Sequence, residues 1–126
     1  MPWKERYTIS DERTLLDADV RWPDGKRCCF RVVVDLAPAS GPDGIAPQDL
    51  TTPDAYFGMH GGLRELCGTL KRYGIKATFA VPAVIAEIHV DAVRRLRDEG
   101  HEIAAHGFKH EDVSTLGRDE ERARLE

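Results

Sequence analysis

Three features are scarce in this sequence, and each scarcity excludes a class of protein. The 126 residues contain three cysteines, two of them adjacent (Cys28 and Cys29), so no disulfide framework is expected. The formal net charge of −4 leaves no basic surface that would suit nucleic acid or an anionic membrane. No apolar run approaches the roughly 20 residues that span a bilayer. All three cysteines, including Cys67, are predicted to be buried, reduced thiols.

The composition that remains is typical of a globular domain. Hydrophobic residues make up 41% of the chain and charged residues 32%, which argues against disorder. The first residues, MPWKERYTISDERT, lack the apolar core of a secretion signal, so a cytoplasmic location is predicted. Residues 1–26 are predicted to form an irregular arm that ends in a Pro-Asp-Gly turn, and residues 27–126 to form a single domain.

Strand-like and helix-like segments alternate along this predicted domain. Continuous apolar, β-branched stretches predict strands at 28–36, 76–82 and 102–107, and the first is expected to be buried on both faces. Apolar residues at helical spacing predict helices over 61–73 and 83–100, and a last helix begins in STLGRDEERARLE. Alternation of this kind predicts an α/β fold with parallel strands and outer helices, in an open sheet or a barrel.

Two histidines, His106 and His110, directly follow the third predicted strand, and Asp35 lies at the end of the first. In α/β folds, ligands and chemistry collect at the carboxyl ends of the strands. Two imidazoles and one carboxylate are a donor set that zinc and similar divalent ions prefer. The alternative is that both histidines only satisfy hydrogen bonds of a loop. Of the other histidines, His60 is predicted to lie in a solvated loop and His89 on a surface helix. His101 is predicted to have a structural role.

The segment GIKATFAVPAVIAEIHVDAVRRLRDEGHEIAAHGFKHED resembles the central part of the polysaccharide deacetylase (NodB homology) family. The features that carry the resemblance are KATFAVP, EGHEIAAHG and HGFKHE. Within the family, the chain is most similar to the cytosolic branch of peptidoglycan-deacetylase-like proteins, allantoinase-like proteins and cyclic imide hydrolases. The resemblance implies the N-terminal half of a deformed (β/α) barrel.

The same resemblance implies a hydrolase of non-peptide carbon–nitrogen bonds that uses a divalent metal, commonly zinc. His106 and His110 match the two histidine ligands, and Asp35 takes the place of the catalytic base. The second aspartate of that motif, normally the third ligand, falls on Ala37, which has no ligating atom. Either Asp35 changes its role and binds the metal, or the site has no protein carboxylate.

The later motifs of the family are absent from these 126 residues, and a three-stranded sheet would leave an edge with free backbone groups. The expectation is therefore a split enzyme in which a second polypeptide completes the barrel, with homo-oligomerisation or a truncated product as the other options. The expected substrate is a small cytosolic amide, ureide or cyclic imide. The competing hypothesis is a non-catalytic scaffold or regulatory subunit that has lost its full metal site.

Overall fold

The computed structural model describes residues 21–38 and 43–125, which belong to two compact units, Met1–Phe30 and Arg31–Glu126. The described part of the first unit contains one 3-10 turn, Pro23–Gly25, in which the Lys26 N–H donates to the Pro23 carbonyl at 3.1 Å. This is the turn that the Pro-Asp-Gly sequence predicts. Most of the predicted N-terminal arm lies outside the described residues, so the domain boundary after residue 26 stays a prediction.

The second unit is built on a parallel three-stranded sheet. Its strands are β1 (Val33–Asp35), β2 (Thr78–Val81) and β3 (Glu102–Ala105), and they lie side by side in sequence order. Both pairings are parallel. The predicted α/β fold with parallel strands is therefore confirmed, and each strand is shorter than its apolar segment suggested.

Helices and turns connect the strands. The helices are α1 (Pro53–Phe57), α2 (Leu63–Arg72), α3 (Ala83–Ile88), α4 (Val90–Asp98) and α5 (Arg118–Leu125). A π-helical turn, Gly58–Gly62, joins α1 to α2, and 3-10 turns lie at Asp49–Thr51 and Val113–Thr115. The single helix predicted over 83–100 is two helices, because the backbone of His89 leaves the helical region (φ −113°, ψ 42°). No helix in the described parts of the chain has the length and apolar character needed to cross a bilayer.

The core lies between the helices and one face of the sheet. Strand β2 is buried at all four positions, and Phe79, Ile85 and Leu96 have no exposed surface. Helix α2 contributes Leu63, Cys67 and Leu70 to this cluster, which are the positions that its helical periodicity predicted. The burial of β2 on both faces is what a central strand of a parallel sheet requires.

Two predictions about the first strand are wrong. Strand β1 is not buried on both faces, because Val33 is 57% exposed on the side of the sheet away from the helices. Cys28 and Cys29 precede β1 rather than lying in it, and both are exposed. The apolar run predicted burial correctly only where a neighbouring strand or helix covers it. The prediction for Cys67, a buried free thiol, is confirmed.

Candidate metal centre

The register of the sheet places Asp35 and His106 on the same face. Asp35 is paired with Ala80, and Ala80 with Ala104, so these three side chains point to one side of the sheet. His106 follows Ala104 by two residues, and its N–H continues the ladder by donating to the Val81 carbonyl at 3.1 Å. Both side chains therefore lie at the carboxyl edge of the parallel strands, as the sequence predicted.

His110 reaches the same place from the loop that follows β3. The backbone of His110 is left-handed (φ 62°), as is that of Gly107 (φ 68°), so the chain turns back on itself after His106. The two imidazole rings stack, with centroids 4.5 Å apart and planes inclined by 28°. His110 Nε2 lies 3.6 Å from Asp35 Oδ2. The structure thus brings the three predicted residues into one cluster.

Backbone contacts hold this loop against two other parts of the chain. The carbonyl of Gly107 accepts the N–H of Ala83 at 3.1 Å, and that of Phe108 accepts the N–H of Val84 at 2.9 Å, both at the start of α3. On another side, the Lys109 carbonyl accepts the N–H of Ile45 at 2.7 Å. The loop that carries His110 is therefore positioned by main-chain bonds.

The carboxylate of Glu111 and the side chain of Arg124 brace the loop further. The Lys109 N–H donates to Glu111 Oε2 at 2.8 Å, and Arg124 Nε lies 3.2 Å from Glu111 Oε1. The Arg124 guanidinium also lies over the Phe108 ring, 5.1 Å from its centroid. Burial raises the pKa of the Glu111 carboxyl, but the N–H groups of Glu111 and Lys109 and the charge of Arg124 outweigh it and lower the pKa overall. Helix α5 is tied to the histidine loop through this ionised carboxylate.

The donor atoms in this cluster fit a divalent ion. One ligand atom each from Asp35, His106 and His110 lie within 4.8 Å of one another. Atoms bound at about 2.1 Å to one tetrahedral ion lie roughly 3.4 Å apart, so side-chain shifts of about an ångström would suffice. His110 Nδ1 is buried and has no hydrogen-bond partner among the described residues.

Ala37 contributes nothing to this cluster. It is partly buried and packs against the hydrophobic core, and its methyl group has no donor atom. Within the ranges that the structure describes, no other carboxylate joins Asp35 and the two histidines. Asp35 is therefore the carboxylate that this part of the chain supplies.

A second group of potential ligands, Cys67, Glu99 and His101, also lies within 4.8 Å, but the hydrogen bonding of His101 argues against a metal there. His101 Nδ1 accepts the N–H of Ala77 at 3.1 Å, so in the neutral ring the proton is on Nε2. Neither nitrogen then offers a free lone pair. Burial, with a smaller contribution from Glu99 and opposed by Arg95, raises the pKa of the Cys67 thiol. His101 has a structural role in the core, which is what the sequence predicted.

Comparisons with known proteins agree with the architecture. The polysaccharide deacetylase family matches residues 50–126. A peptidoglycan-N-acetylglucosamine deacetylase of Bacillus cereus is 34% identical over 89 residues, which cover 68% of this chain and 30% of that protein. A chitooligosaccharide deacetylase of Sinorhizobium fredii is 38% identical over 63 residues, which cover 49% of this chain and 29% of that protein.

A crystal structure from Mycobacterium smegmatis, assigned to the polysaccharide deacetylases, superposes with a TM-score of 0.64 and 33% sequence identity. The match covers 84% of this chain and 38% of that one. The fold is thus a partial (β/α) barrel of the kind found in carbon–nitrogen hydrolases. The chain belongs to the polysaccharide deacetylase family, which confirms the resemblance of its motifs. It spans less than half the length of each of these relatives.

Sequence reasoning missed the residues that position the loop. Gly44 is buried and in close contact with the backbone of Lys109 and Glu111. Arg124 belongs to a helix that starts eight residues after His110. Residues 37–55 are rich in Pro, Gly and Asp, which is typical of a functional loop, but this composition does not indicate which residue contacts the loop of His110. No local pattern around Arg124 distinguishes it from the other charges of its helix.

Proposed function

We propose that this chain contributes the metal centre of a hydrolase that cleaves a non-peptide carbon–nitrogen bond. The observation that carries the proposal is the convergence of Asp35, His106 and His110 within 4.8 Å at the carboxyl edge of the sheet. The metal that best fits two imidazole nitrogens and one carboxylate oxygen is zinc. The names of the relatives as deacetylases support the class of reaction.

If a divalent ion binds there, it would supply a Lewis acid for polarising an amide carbonyl and activating water. His106 and His110 would hold the ion through ring nitrogens, and the main-chain bonds of the loop restrict where His110 can point. Asp35, with its side chain 51% exposed, stands on the open side of the cluster, where a substrate can approach. The protein groups therefore orient donors and substrate before the reaction, which lowers its entropic cost.

The position of Asp35 favours a ligand role over that of the general base. Its Oδ2 is already 3.6 Å from His110 Nε2, and Ala37 cannot supply the third donor. We therefore propose that Asp35 binds the metal, and that the base comes from a part of the protein outside these residues. If Asp35 instead acts as the base, as its place in the family motif suggests, two histidines alone must hold the ion.

The two roles of Asp35 predict different metal affinities for an Asp35→Asn variant. We expect zinc affinity to fall by at least about tenfold, because a charged ligand is exchanged for a weak neutral one. Asp54→Asn is the matched control, since Asp54 lines the same cavity as Asp35 but lies outside the cluster. Competition titration against a chelating dye gives both constants. A loss of turnover in Asp35→Asn with zinc affinity unchanged would show that Asp35 is the base.

The proposed substrate is a small cytosolic amide, ureide or cyclic imide. A cavity of about 320 Å³ adjoins Asp35 and is lined mainly by apolar residues, which suits a compact ligand better than a polysaccharide chain. The test is the rate of hydrolysis of hydantoin, dihydrouracil and allantoin against N-acetylglucosamine oligomers by the zinc-loaded protein. Faster deacetylation of the oligomers would refute the small-amide proposal while supporting the hydrolase itself.

Ala37 favours the second candidate, a non-catalytic scaffold or regulatory subunit that has lost its full metal site. The two candidates differ in metal content. A purified protein that retains about one zinc per chain through dialysis, as expected for a site with two histidines and a carboxylate, supports the hydrolase. A protein that retains none and binds none on titration supports the scaffold.

We also propose that strands beyond the described sheet cover its two edges, contributed by a second polypeptide or by a second copy of the chain. Within the described residues, β1 and β3 are edge strands, and Val33 and Ile103 are 57% and 37% exposed. Exposed apolar edge strands pair readily with other chains. Light scattering is expected to show an assembly larger than one chain, and a fully active monomer would contradict this.

A further inference from the structure

A second cavity lies on the helical side of the unit and shares no lining residue with the cluster of Asp35, His106 and His110. It has a volume of about 480 Å³ and opens between the start of α2 and the junction of α3 with α4. Its lining residues are Met59, His60, Arg64, Ile88, His89, Val90, Asp91, Ala92 and Arg95. Nothing in the proposed hydrolase function uses this cavity.

The charges of this cavity are unbalanced. Arg64 projects from α2 and Arg95 from α4, and neither makes an ion pair or side-chain hydrogen bond with any residue that the structure describes. The acidic residue of the lining is Asp91. The described residues that line this cavity therefore include two guanidinium groups and one carboxylate.

Two histidines, His60 and His89, also line this cavity. The rings of His60 and His89 meet edge to face, with centroids 6.1 Å apart, and Tyr56 packs against His60 with centroids 4.3 Å apart. Burial and, less strongly, the nearby His60 lower the pKa of His89. The protonated form of His89 is therefore disfavoured in the free protein, and a bound negative charge would favour it.

We propose that this cavity binds a small oxyanion, the phosphate or carboxylate group of a small molecule, between Arg64 and Arg95. Guanidinium groups donate two parallel N–H bonds that match the spacing of oxygens in such groups. His60 and His89 add ring nitrogens to the lining that can donate hydrogen bonds to such a group. The sequence indicated neither histidine as a ligand-binding residue.

The test measures binding of inorganic phosphate and of acetate to the full chain by calorimetry. We expect Arg95→Gln to weaken binding by about tenfold, the loss expected for a charge-assisted hydrogen bond. Arg97→Gln is the control, because Arg97 lies on the same helix, outside the cavity, and pairs with Asp98 at 2.7 Å. An equal loss in both variants, or no binding in the wild type, would overturn the proposal. Tighter binding of phosphate or of acetate identifies which group the cavity takes.

The pH dependence of binding is measured with sulfate, because the charge of sulfate is constant over the range in which histidines titrate. A bound anion favours the protonated imidazole of His89, whose pKa is lowered by burial in the free protein, so sulfate affinity is expected to increase as the pH falls from about 8 to 6. A double variant, His60→Gln with His89→Gln, is expected to lose this dependence while keeping part of the affinity at pH 8. A pH dependence that survives in the double variant would exclude the histidines from the site.

Discussion

Replacing His106 by alanine is expected to reduce zinc affinity by at least about 100-fold, because loss of a ligand exceeds the 10- to 100-fold effect of losing an outer-shell partner. His106 is the better position for this test than His110, because His106 ends a regular strand whereas His110 lies in a left-handed loop (φ 62°) whose shape is part of the site. The fold should survive, since His106 lies at the end of β3 and outside the hydrophobic core. Titration with zinc and far-ultraviolet circular dichroism measure the two effects.

This measurement needs two safeguards. Cys28 and Cys29 are exposed thiols, and exposed thiols bind zinc, so all variants should carry Cys28→Ser and Cys29→Ser. Asp112→Asn is the control, since it removes a carboxylate from the same loop while the cluster is left intact. If His106→Ala binds zinc as tightly as this control does, the cluster is not a metal centre.

The order and direction of the strands could be predicted because they depend on local patterns. The apolar character of a segment such as residues 76–82 can be recognised from the segment itself. The alternation of such segments with helices then favours parallel pairing of the strands. Exposure could not be predicted in the same way. Val33 and Val81 have the same side chain, but Val33 lies in an edge strand and is 57% exposed while Val81 lies in the central strand and is 4% exposed.

The candidate site was predictable for a related reason. Asp35 and His106 follow strands, so strand parity and the common carboxyl edge bring them together. The position of His110 depends on a loop. Residues distant in sequence, including Ile45, Val84 and Arg124, set the shape of that loop. Contacts between such distant segments leave no periodic signal, which is why spacing alone left open whether the two histidines served a metal or only the loop.

The largest effect on the shape of this loop is expected from Gly44→Ala. Gly44 has a left-handed backbone (φ 79°), and a Cβ there would lie 2.5 Å from the Lys109 carbonyl oxygen and 3.0 Å from the Glu111 nitrogen. Both neighbours are backbone atoms that hold the His110 loop, so they cannot move without breaking the bond from Ile45 to Lys109. We expect the free energy of unfolding to fall by about 2–4 kcal/mol, of which about 1 is the left-handed conformation itself, together with a loss of zinc affinity.

Gly74→Ala separates the two causes of the Gly44→Ala effect. Gly74 is also left-handed (φ 65°), but a Cβ there meets nothing within 4 Å, so the variant should show only the conformational cost of about 1 kcal/mol and normal zinc binding. Urea denaturation measures the stability of both variants, and the zinc titration measures the metal centre. If the two variants lose equal stability, and zinc affinity is unchanged in Gly44→Ala, then contact with Gly44 does not position His110. If only Gly44→Ala weakens zinc binding, then a glycine more than sixty positions before the histidine sets the geometry of the centre, because only a residue without a side chain allows the loop to approach this closely.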